Sequence, residues 1–343
     1  MGIILRWDIT NKCSLNCIHC YNHNTRESVN EINNREDLNK IITNLPQDSI
    51  RFMKLLGGEP FEFSEIVFLT DQLKRNNIKF GITTNGMFEK NKENISIINN
   101  PKLVFITFSL DGHNQQSAEV FRRNIDFNSV IQNIELVKML RPEIPISIIL
   151  ILNKFNFTNI YSILDYFFNI IKINKICLTD LKITHQNLSK MKCDKNDLIE
   201  VVKQVNKFKS NTNTQCNIEL NFGCNMMLKD LYHNQDLVTS DISLDYRCTA
   251  GRDSGYIDYL GNLLPCDAIL ENENYSNIKE SREYSLVDND FWDIWVKPEF
   301  DNVYKYDLEF RYGSNINVTK SDDCMNCNYR ETRCSKCFFQ RGS

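Results

Sequence analysis

The alternation of strand-like and helix-like segments is the feature that most constrains the fold of this chain. Before residue 210, apolar runs typical of β-strands alternate with stretches that have the spacing of amphipathic helices. The predicted strands are residues 2–10, 49–58, 78–86, 102–112, 146–152 and 173–181, and the predicted helices are 33–45, 63–76, 128–140, 159–171 and 193–209. Strands joined by helices predict βα units around a parallel sheet. These units are fewer than the eight of a closed barrel.

The alternation of strand-like and helix-like segments ends after residue 210, where the sequence becomes polar and irregular and contains many cysteines. We therefore predict a core domain over residues 1–210, a bridging segment over 211–247 and a small cysteine-rich domain over 248–343. Within the last part, residues 254–267 predict a hairpin that turns at Gly261 and Asn262. A short helix is predicted before Pro298, which would stop it.

Composition narrows the class of protein. The net charge of -4 provides no global basic field, so nucleic acid is not an expected partner. The apolar runs are too short to cross a bilayer, and the first residues lack the features of a signal peptide. We therefore expect a cytoplasmic protein without a membrane partner. The 13 cysteines are clustered, which in a reducing compartment indicates metal binding or catalysis.

The most informative cysteines are Cys13, Cys17 and Cys20, spaced C-x3-C-x2-C directly after the first predicted strand. The carboxyl ends of parallel strands are where such folds place their active sites. A closed zinc site would need a fourth ligand, whereas a 4Fe–4S cluster held by three cysteines keeps one iron open for a substrate. On spacing alone, a zinc loop or a chance cluster remains an alternative. His19 would be a cramped zinc ligand beside Cys20.

Three further motifs follow the next three predicted strands, in order: "GGEP" from Gly57, "TTNG" from Thr83 and "SLDG" from Ser109. Together with the cysteine loop they resemble the radical S-adenosylmethionine (SAM) superfamily, over residues 3–185. The resemblance implies an α/β fold, a partial (β/α)6 TIM-like barrel. It implies SAM contacts from His19, Gly57, Gly58, Glu59, Pro60, Asn85, Ser109, Asp111, Arg122 and Arg123. Glycine permits close approach of backbone to a ligand, and arginine suits a carboxylate.

The same resemblance implies the chemistry. The open iron of the cluster would bind the amino and carboxylate groups of SAM. One electron would then cleave the S–C5′ bond, giving methionine and a 5′-deoxyadenosyl radical that abstracts hydrogen from a substrate. The cofactor carries the difficult chemistry, while the protein orients the reactants and excludes competing reactions.

The cysteines near the end of the chain resemble the SPASM/Twitch extension, which binds auxiliary 4Fe–4S clusters. They are Cys248, Cys266, Cys324, Cys327, Cys334 and Cys337. Their spacing departs from the full pattern, so one or two auxiliary clusters are expected, with two favoured. In the two-cluster arrangement, an upstream cysteine such as Cys216 or Cys224 completes one of them. Taken alone, the four last cysteines would equally suit one structural zinc.

The remaining candidates carry weaker signals. Cys216, Cys224 and Asp267 are candidate catalytic residues, the thiols as hydrogen-atom donors and the carboxylate, like Tyr256 and Asp258, as a general base. Cys177 is expected in the core because its strand is apolar. Cys193 begins a predicted helix and is expected to be exposed.

The resemblance implies an enzyme that modifies a ribosomally made peptide by crosslinking, thioether formation, epimerisation or oxidation. Alternatives are formylglycine formation on a protein, as in sulfatase maturases, and dehydrogenation of a small sugar or aminocyclitol. A non-catalytic zinc or iron–sulfur module is the alternative outside enzymes. Expected partners are the peptide or protein substrate and an electron donor such as flavodoxin or ferredoxin. Because the first strand begins near residue 2, we expect either a separate peptide-recognition protein or direct recognition of the leader by this chain.

Overall fold

A computed structural model of the protein describes residues 2–20, 31–182, 186–212, 216–221, 249–267 and 281–300. The strands are β1 Ile3–Thr10, β2 Asn16–Cys17, β3 Ile50–Gly57, β4 Phe80–Thr84, β5 Leu103–Ser109, β6 Arg122–Arg123, β7 Ile146–Leu152, β8 Lys175–Asp180, β9 Asn217–Asn221, β10 Ser254–Ile257 and β11 Leu263–Leu264. The α-helices are α1 Arg35–Asn44, α2 Ile66–Arg75, α3 Lys92–Ile98, α4 Gln115–Glu119, α5 Phe127–Leu140, α6 Ile160–Asp165, α7 Lys195–Asn211 and α8 Phe291–Trp295. Shorter helical turns are Gln47–Ser49, Pro60–Glu62, Phe157–Asn159, Tyr166–Ile170, Gln186–Met191 and Arg282–Tyr284.

One mostly parallel sheet organises the molecule, in the order β11-β10-β1-β3-β4-β5-β7-β8-β9. The six predicted strands form the centre of the sheet as β1, β3, β4, β5, β7 and β8. Each of them pairs in parallel with its neighbours in this series. The predicted α/β fold is thereby confirmed. Three strands from beyond residue 210 extend the same sheet: β9 pairs with β8, β10 pairs with β1, and β11 pairs with β10.

Alternation along the strands separates two faces of the sheet. In β1 and β3, Leu5, Trp7, Met53 and Leu55 are fully buried in the main apolar core. The residues between them point to the opposite face and are partly exposed. We call this opposite face the inner face; its register brings Arg6 of β1 beside Lys54 of β3.

The sheet is curved, so that strands far apart in its order approach each other across the inner face. Asp267, just after β11, accepts a hydrogen bond from Arg6 of β1 at 2.5 Å and another from Lys182 at 2.9 Å. Lys182 lies just beyond β8 at the other side of the sheet. These two ion pairs connect the two sides of an open barrel.

Polar caps set the helix boundaries. The side chains of Asn34, Asn91, Asp126 and Asp194 accept hydrogen bonds from the first-turn N–H groups of α1, α3, α5 and α7. The predicted hairpin is confirmed, since β10 and β11 are antiparallel. Among the described residues, no helix is long and apolar enough to cross a membrane.

Two cysteine predictions are wrong. Cys177 is only partly buried, because it alternates onto the inner face of β8 with its Sγ 3.5 Å from Oγ1 of Thr179. Cys193 is buried rather than exposed, because it belongs to the apolar core that lies under the start of α7.

Candidate active site

The loop that carries the three cysteines leaves β1 at the carboxyl edge of the sheet. Cys17 lies in β2, which pairs with β6 so that Cys17 stands opposite Arg122. The N–H of Ile18 donates to the carbonyl of Phe121 at 2.9 Å, and the N–H of Cys20 donates to the carbonyl of Cys17 at 3.3 Å. Backbone pairing therefore fixes the second half of the loop against the segment before α5.

The turn after β3 packs directly on this loop. The N–H of Gly58 donates to the carbonyl of Thr10 at 2.6 Å, and the N–H of Glu59 donates to the carbonyl of Lys12 at 2.7 Å. A Cβ on Gly57 would lie 2.3 Å from the Thr10 oxygen, and one on Gly58 would lie 1.9 Å from the Lys12 oxygen. The glycines are required by this contact between two protein segments, while their contact with SAM stays a prediction.

Glu59 ties the same turn to the end of β4. Its buried carboxylate accepts hydrogen bonds from Oγ1 of Thr84 at 2.7 Å, from the N–H of Asn85 at 2.6 Å and from the N–H of Phe61 at 3.1 Å. Burial raises the pKa of Glu59 to about 7 even though these donors favour the charged form. The "GGEP" and "TTNG" motifs are thus joined by one carboxylate, and Pro60 is buried beside it.

Polar groups face two of the cysteine sulfurs. The amide Nδ2 of Asn85 lies 3.7 Å from Sγ of Cys13, and Nη1 of Arg122 lies 4.0 Å from Sγ of Cys17. Burial, followed by the nearby carboxylate of Glu59, raises the pKa of the Cys13 thiol to about 12. A thiolate at this position would need a bound cation, because burial penalises an isolated negative charge.

The donor set fits an iron–sulfur cluster. Within the described ranges, no three His, Cys, Asp or Glu side chains are grouped as ligands of a single metal ion. A 4Fe–4S cluster asks for a different arrangement, because each thiolate binds a different iron. Cys13, Cys17 and Cys20 follow one strand end, are buried or partly buried, and meet N–H donors on two sides. These residues would hold the cluster.

A buried ion pair lies behind Cys17. The side chain of Asp111 is 1% exposed, and its Oδ2 lies 2.9 Å from Nε of Arg122. Its Oδ1 accepts a hydrogen bond from the N–H of Ile151 at 2.7 Å. Burial disfavours the charged guanidinium, but Asp111 and then Cys17 outweigh this cost and raise the pKa of Arg122. The pair connects the cysteine loop to β7.

The other predicted SAM contacts differ in how deeply they are buried. The ring of His19 packs at a tilt against Phe121 with ring centroids 5.4 Å apart, and its Nε2 lies 3.8 Å from Oδ2 of Asp111. Ser109 ends β5 and is partly exposed. Arg123 is exposed, because neighbouring residues of β6 point in opposite directions. The structure thus places Arg122, and not Arg123, among the buried groups of the site.

Two carboxylates that the sequence reasoning missed support the cysteine loop. Oε1 of Glu62 accepts a hydrogen bond from the N–H of Ser14 at 2.9 Å. Glu31 accepts hydrogen bonds from the hydroxyls of Thr10 and Ser64. The position of Glu62, two residues after "GGEP", was a signal available in the sequence.

The candidate cluster ligand Cys266 and the candidate catalytic residue Asp267 both lie within the described part of the chain. Sγ of Cys266 lies 3.2 Å from Oδ1 of Asp267. Burial opposes the charge of Asp267, but Arg6 and Lys182 hold its pKa well below the ordinary range. Such a carboxylate is a weak proton acceptor. Outside the described residues lie Cys224, Cys248, Cys324, Cys327, Cys334 and Cys337.

The remaining catalytic candidates have local roles. The hydroxyl of Tyr256 donates to Oδ2 of Asp8 at 2.8 Å on the inner face. Asp258 accepts from the N–H groups of Leu260 and Asn262 and so shapes the hairpin turn. Cys216 directly precedes β9, at the amino end of the parallel strands and at the edge opposite the cysteine loop.

Comparison with known proteins agrees with this geometry. Residues 7–167 match the sequence model described as the Radical SAM superfamily. A probable GTP 3′,8-cyclase of Methanococcus maripaludis is 26% identical over 132 residues, which cover 38% of this chain and 43% of the relative. The mycofactocin maturase MftC of Mycolicibacterium smegmatis is 25% identical over 133 residues, or 39% of this chain and 33% of the relative. The match thus spans less than half the length of these curated relatives.

Superposition on solved structures covers a larger share of the chain than these sequence matches do. Streptococcus suis SuiB bound to S-adenosylmethionine superposes with a TM-score of 0.75 at 18% identity, covering 98% of this chain and 73% of SuiB. Native anSMEcpe with bound AdoMet and Cp18Cys peptide gives a TM-score of 0.66 at 14% identity, covering 98% of this chain and 89% of the other. At these identities the comparison establishes the fold.

Proposed function

We propose that this chain, whose residues 7–167 belong to the radical SAM superfamily, is an enzyme that cleaves SAM reductively and abstracts hydrogen from a peptide substrate. One observation carries the proposal: three cysteines lie at the carboxyl edge of β1, against the "GGEP" turn and between the side chains of Asn85 and Arg122. That arrangement unites, in one site, motifs that are far apart in the sequence.

In this proposal, some residues hold the cluster and others fix the loops around it. Cys13, Cys17 and Cys20 would hold the cluster, which when bound supplies the electron that splits the S–C5′ bond of SAM. The N–H groups near Cys13 and Cys17 stabilise negative charge on sulfur. Glu59 and Arg122 fix the surrounding loops by buried hydrogen bonds and ion pairs. The predicted SAM contacts, including Ser109, line the same edge.

A peptide is the substrate class that the comparisons support best. SuiB, whose fold resembles that of this chain with a TM-score of 0.75, has been solved bound to its precursor peptide SuiA. MftC, which is 25% identical to this chain over 133 residues, is a maturase. We extend this class of substrate to the present chain, together with a flavodoxin or ferredoxin as electron donor and a cytoplasmic location. The peptide would be recognised either directly or through a separate peptide-recognition protein. Cys266, with the later cysteines, would hold one or two auxiliary clusters.

The GTP 3′,8-cyclase relatives favour a second candidate, a nucleotide substrate. Their similarity covers 38% of this chain. A nucleotide would have to be recognised by groups of the inner face. Incubation with GTP in place of peptide separates the two candidates, since only the true substrate would be converted to a product of changed mass.

The test is SAM cleavage by anaerobically reconstituted protein with dithionite. Wild type should form 5′-deoxyadenosine and methionine, and the Cys13→Ala/Cys17→Ala/Cys20→Ala variant should form neither. Cys216→Ala is the matched control, because Cys216 lies at the opposite edge of the sheet and its loss should leave SAM cleavage intact. Equal product from wild type and the triple variant would refute the proposed function.

A further inference from the structure

The inner face of the barrel carries cations that its described acids do not balance. Arg6 and Lys182 share the single carboxylate of Asp267. Lys175 is paired with Glu219 at 2.5 Å. Asp8, which lies nearer the carboxyl edge, accepts a hydrogen bond from the hydroxyl of Tyr256.

Lys54 stands in the middle of this face, and within the described residues no carboxylate lies in ion-pair contact with its amine. It belongs to β3, in register with Arg6 on one side and Gly81 on the other. Among the described residues, no hydrogen bond or ion pair engages its amine. The cations Arg6 and Lys175 disfavour the charge of Lys54, while Cys177 and the carboxylate of Glu219, which is itself paired with Lys175, favour it. Burial, then Arg6, lowers its pKa.

The position of Lys54 points toward the reaction site. It precedes Gly57 by three residues, and that glycine turns against the cysteine loop at the end of β3. It also interacts across the barrel with Cys177 of β8, although β4, β5 and β7 lie between these strands in the sheet. The amine therefore lies inside the curve of the sheet, beneath the edge where the proposed chemistry occurs.

We propose that Lys54 binds a carboxylate of the substrate, so that the peptide segment entering the barrel carries an aspartate or glutamate side chain. This inference rests on the proposed function, because it takes from it that the substrate is a peptide. A carboxylate supplies both the negative charge and the hydrogen-bond acceptors that the amine lacks among the described residues. Arg6 and Lys182 add to the attraction, because together they exceed the charge of Asp267.

The experiment uses reconstituted protein with SAM and a random displayed peptide library under anaerobic conditions. Wild type should enrich peptides rich in Asp and Glu, and Lys54→Glu should enrich Lys and Arg instead. Lys74→Glu, an exposed lysine on α2, makes the same change of net charge and should select as wild type does. Circular dichroism and iron content of each variant confirm that it is folded.

A binding cycle then isolates the contact. An enriched peptide should bind about tenfold more weakly to Lys54→Met than to wild type, as expected for a charge-assisted hydrogen bond. Replacing the acidic residue of that peptide by the matching amide should weaken its binding to wild type by the same factor. The same replacement should weaken its binding to the Lys54→Met variant only slightly, because the contact is already absent there. The proposal would be overturned if wild type did not enrich acidic peptides, or if Lys54→Glu selected the same peptides as wild type. It would also be overturned if the losses of binding free energy in the cycle were additive. Binding does not require SAM cleavage, so failure of the 5′-deoxyadenosine assay would refute the proposed function separately.

Discussion

Replacement of Asp111 by Asn should destabilise the protein strongly, although the two side chains have the same shape. The asparagine can still accept the hydrogen bond from the N–H of Ile151, which is 2.7 Å in the native protein. It cannot balance the guanidinium of Arg122, whose Nε lies 2.9 Å from Oδ2 and whose side chain is only 9% exposed. Leaving one partner of a buried ion pair uncompensated costs about 3–5 kcal/mol.

Urea unfolding of the apoprotein, followed by circular dichroism, measures the effect in a double-variant cycle. Asp111→Asn and Arg122→Met should each lower the free energy of unfolding by about 3–5 kcal/mol. The double variant should lose clearly less than their sum, because it leaves no unpaired charge. Glu135→Gln, in the partly exposed pair with Lys138, is the control and should change stability by less than about 1 kcal/mol. Additivity within about 0.5 kcal/mol would refute the buried pair.

Three further predictions concern the turn after β3 and the residue that follows β4. Burial raises the pKa of Glu59 from 4.5 to about 7, so its contribution to stability is complete below pH 4.5 and is lost as pH rises through 7. Urea titrations should show wild type losing up to about 3 kcal/mol over that range, and Glu59→Gln should lack this slope. Gly58→Ala should lower the free energy of unfolding by more than about 2 kcal/mol and reduce bound iron, because its Cβ would lie 1.9 Å from the carbonyl oxygen of Lys12; an unchanged urea midpoint would contradict this. Asn85→Ala should make the cluster potential more negative in a redox titration, because a donor to Cys13 is removed; an unchanged potential would contradict it.

The central strands could be predicted because each is a contiguous pattern. Continuous apolar runs such as Ile146–Leu152 identify a strand, but its burial on both faces is not observed, because only alternate residues are buried and the others are partly exposed. The joining of β9 and β10 to the same sheet could not be predicted in this way. Local pattern identifies a strand, but its partner is chosen by tertiary packing, and β10 pairs with a strand about 250 residues earlier in the chain.

The site was predictable in its motifs and not in its contacts. The order of the cysteine loop, "GGEP", "TTNG" and "SLDG" indicated which loops meet, since all follow parallel strands. Sequence could not separate Arg122 from Arg123, because the pairing of β6 with β2 decides which of two neighbours points inward. It likewise could not pair Arg6 with Asp267, which are 261 positions apart.

The most direct test of the central claim is the electron paramagnetic resonance spectrum of the dithionite-reduced protein, recorded with and without SAM. If Cys13, Cys17 and Cys20 hold a cluster with one open iron, SAM should change the spectrum of wild type. The variant that lacks all three cysteines should lose the component that responds to SAM. A wild-type spectrum unaffected by SAM, or a response that persists without these cysteines, would contradict the account.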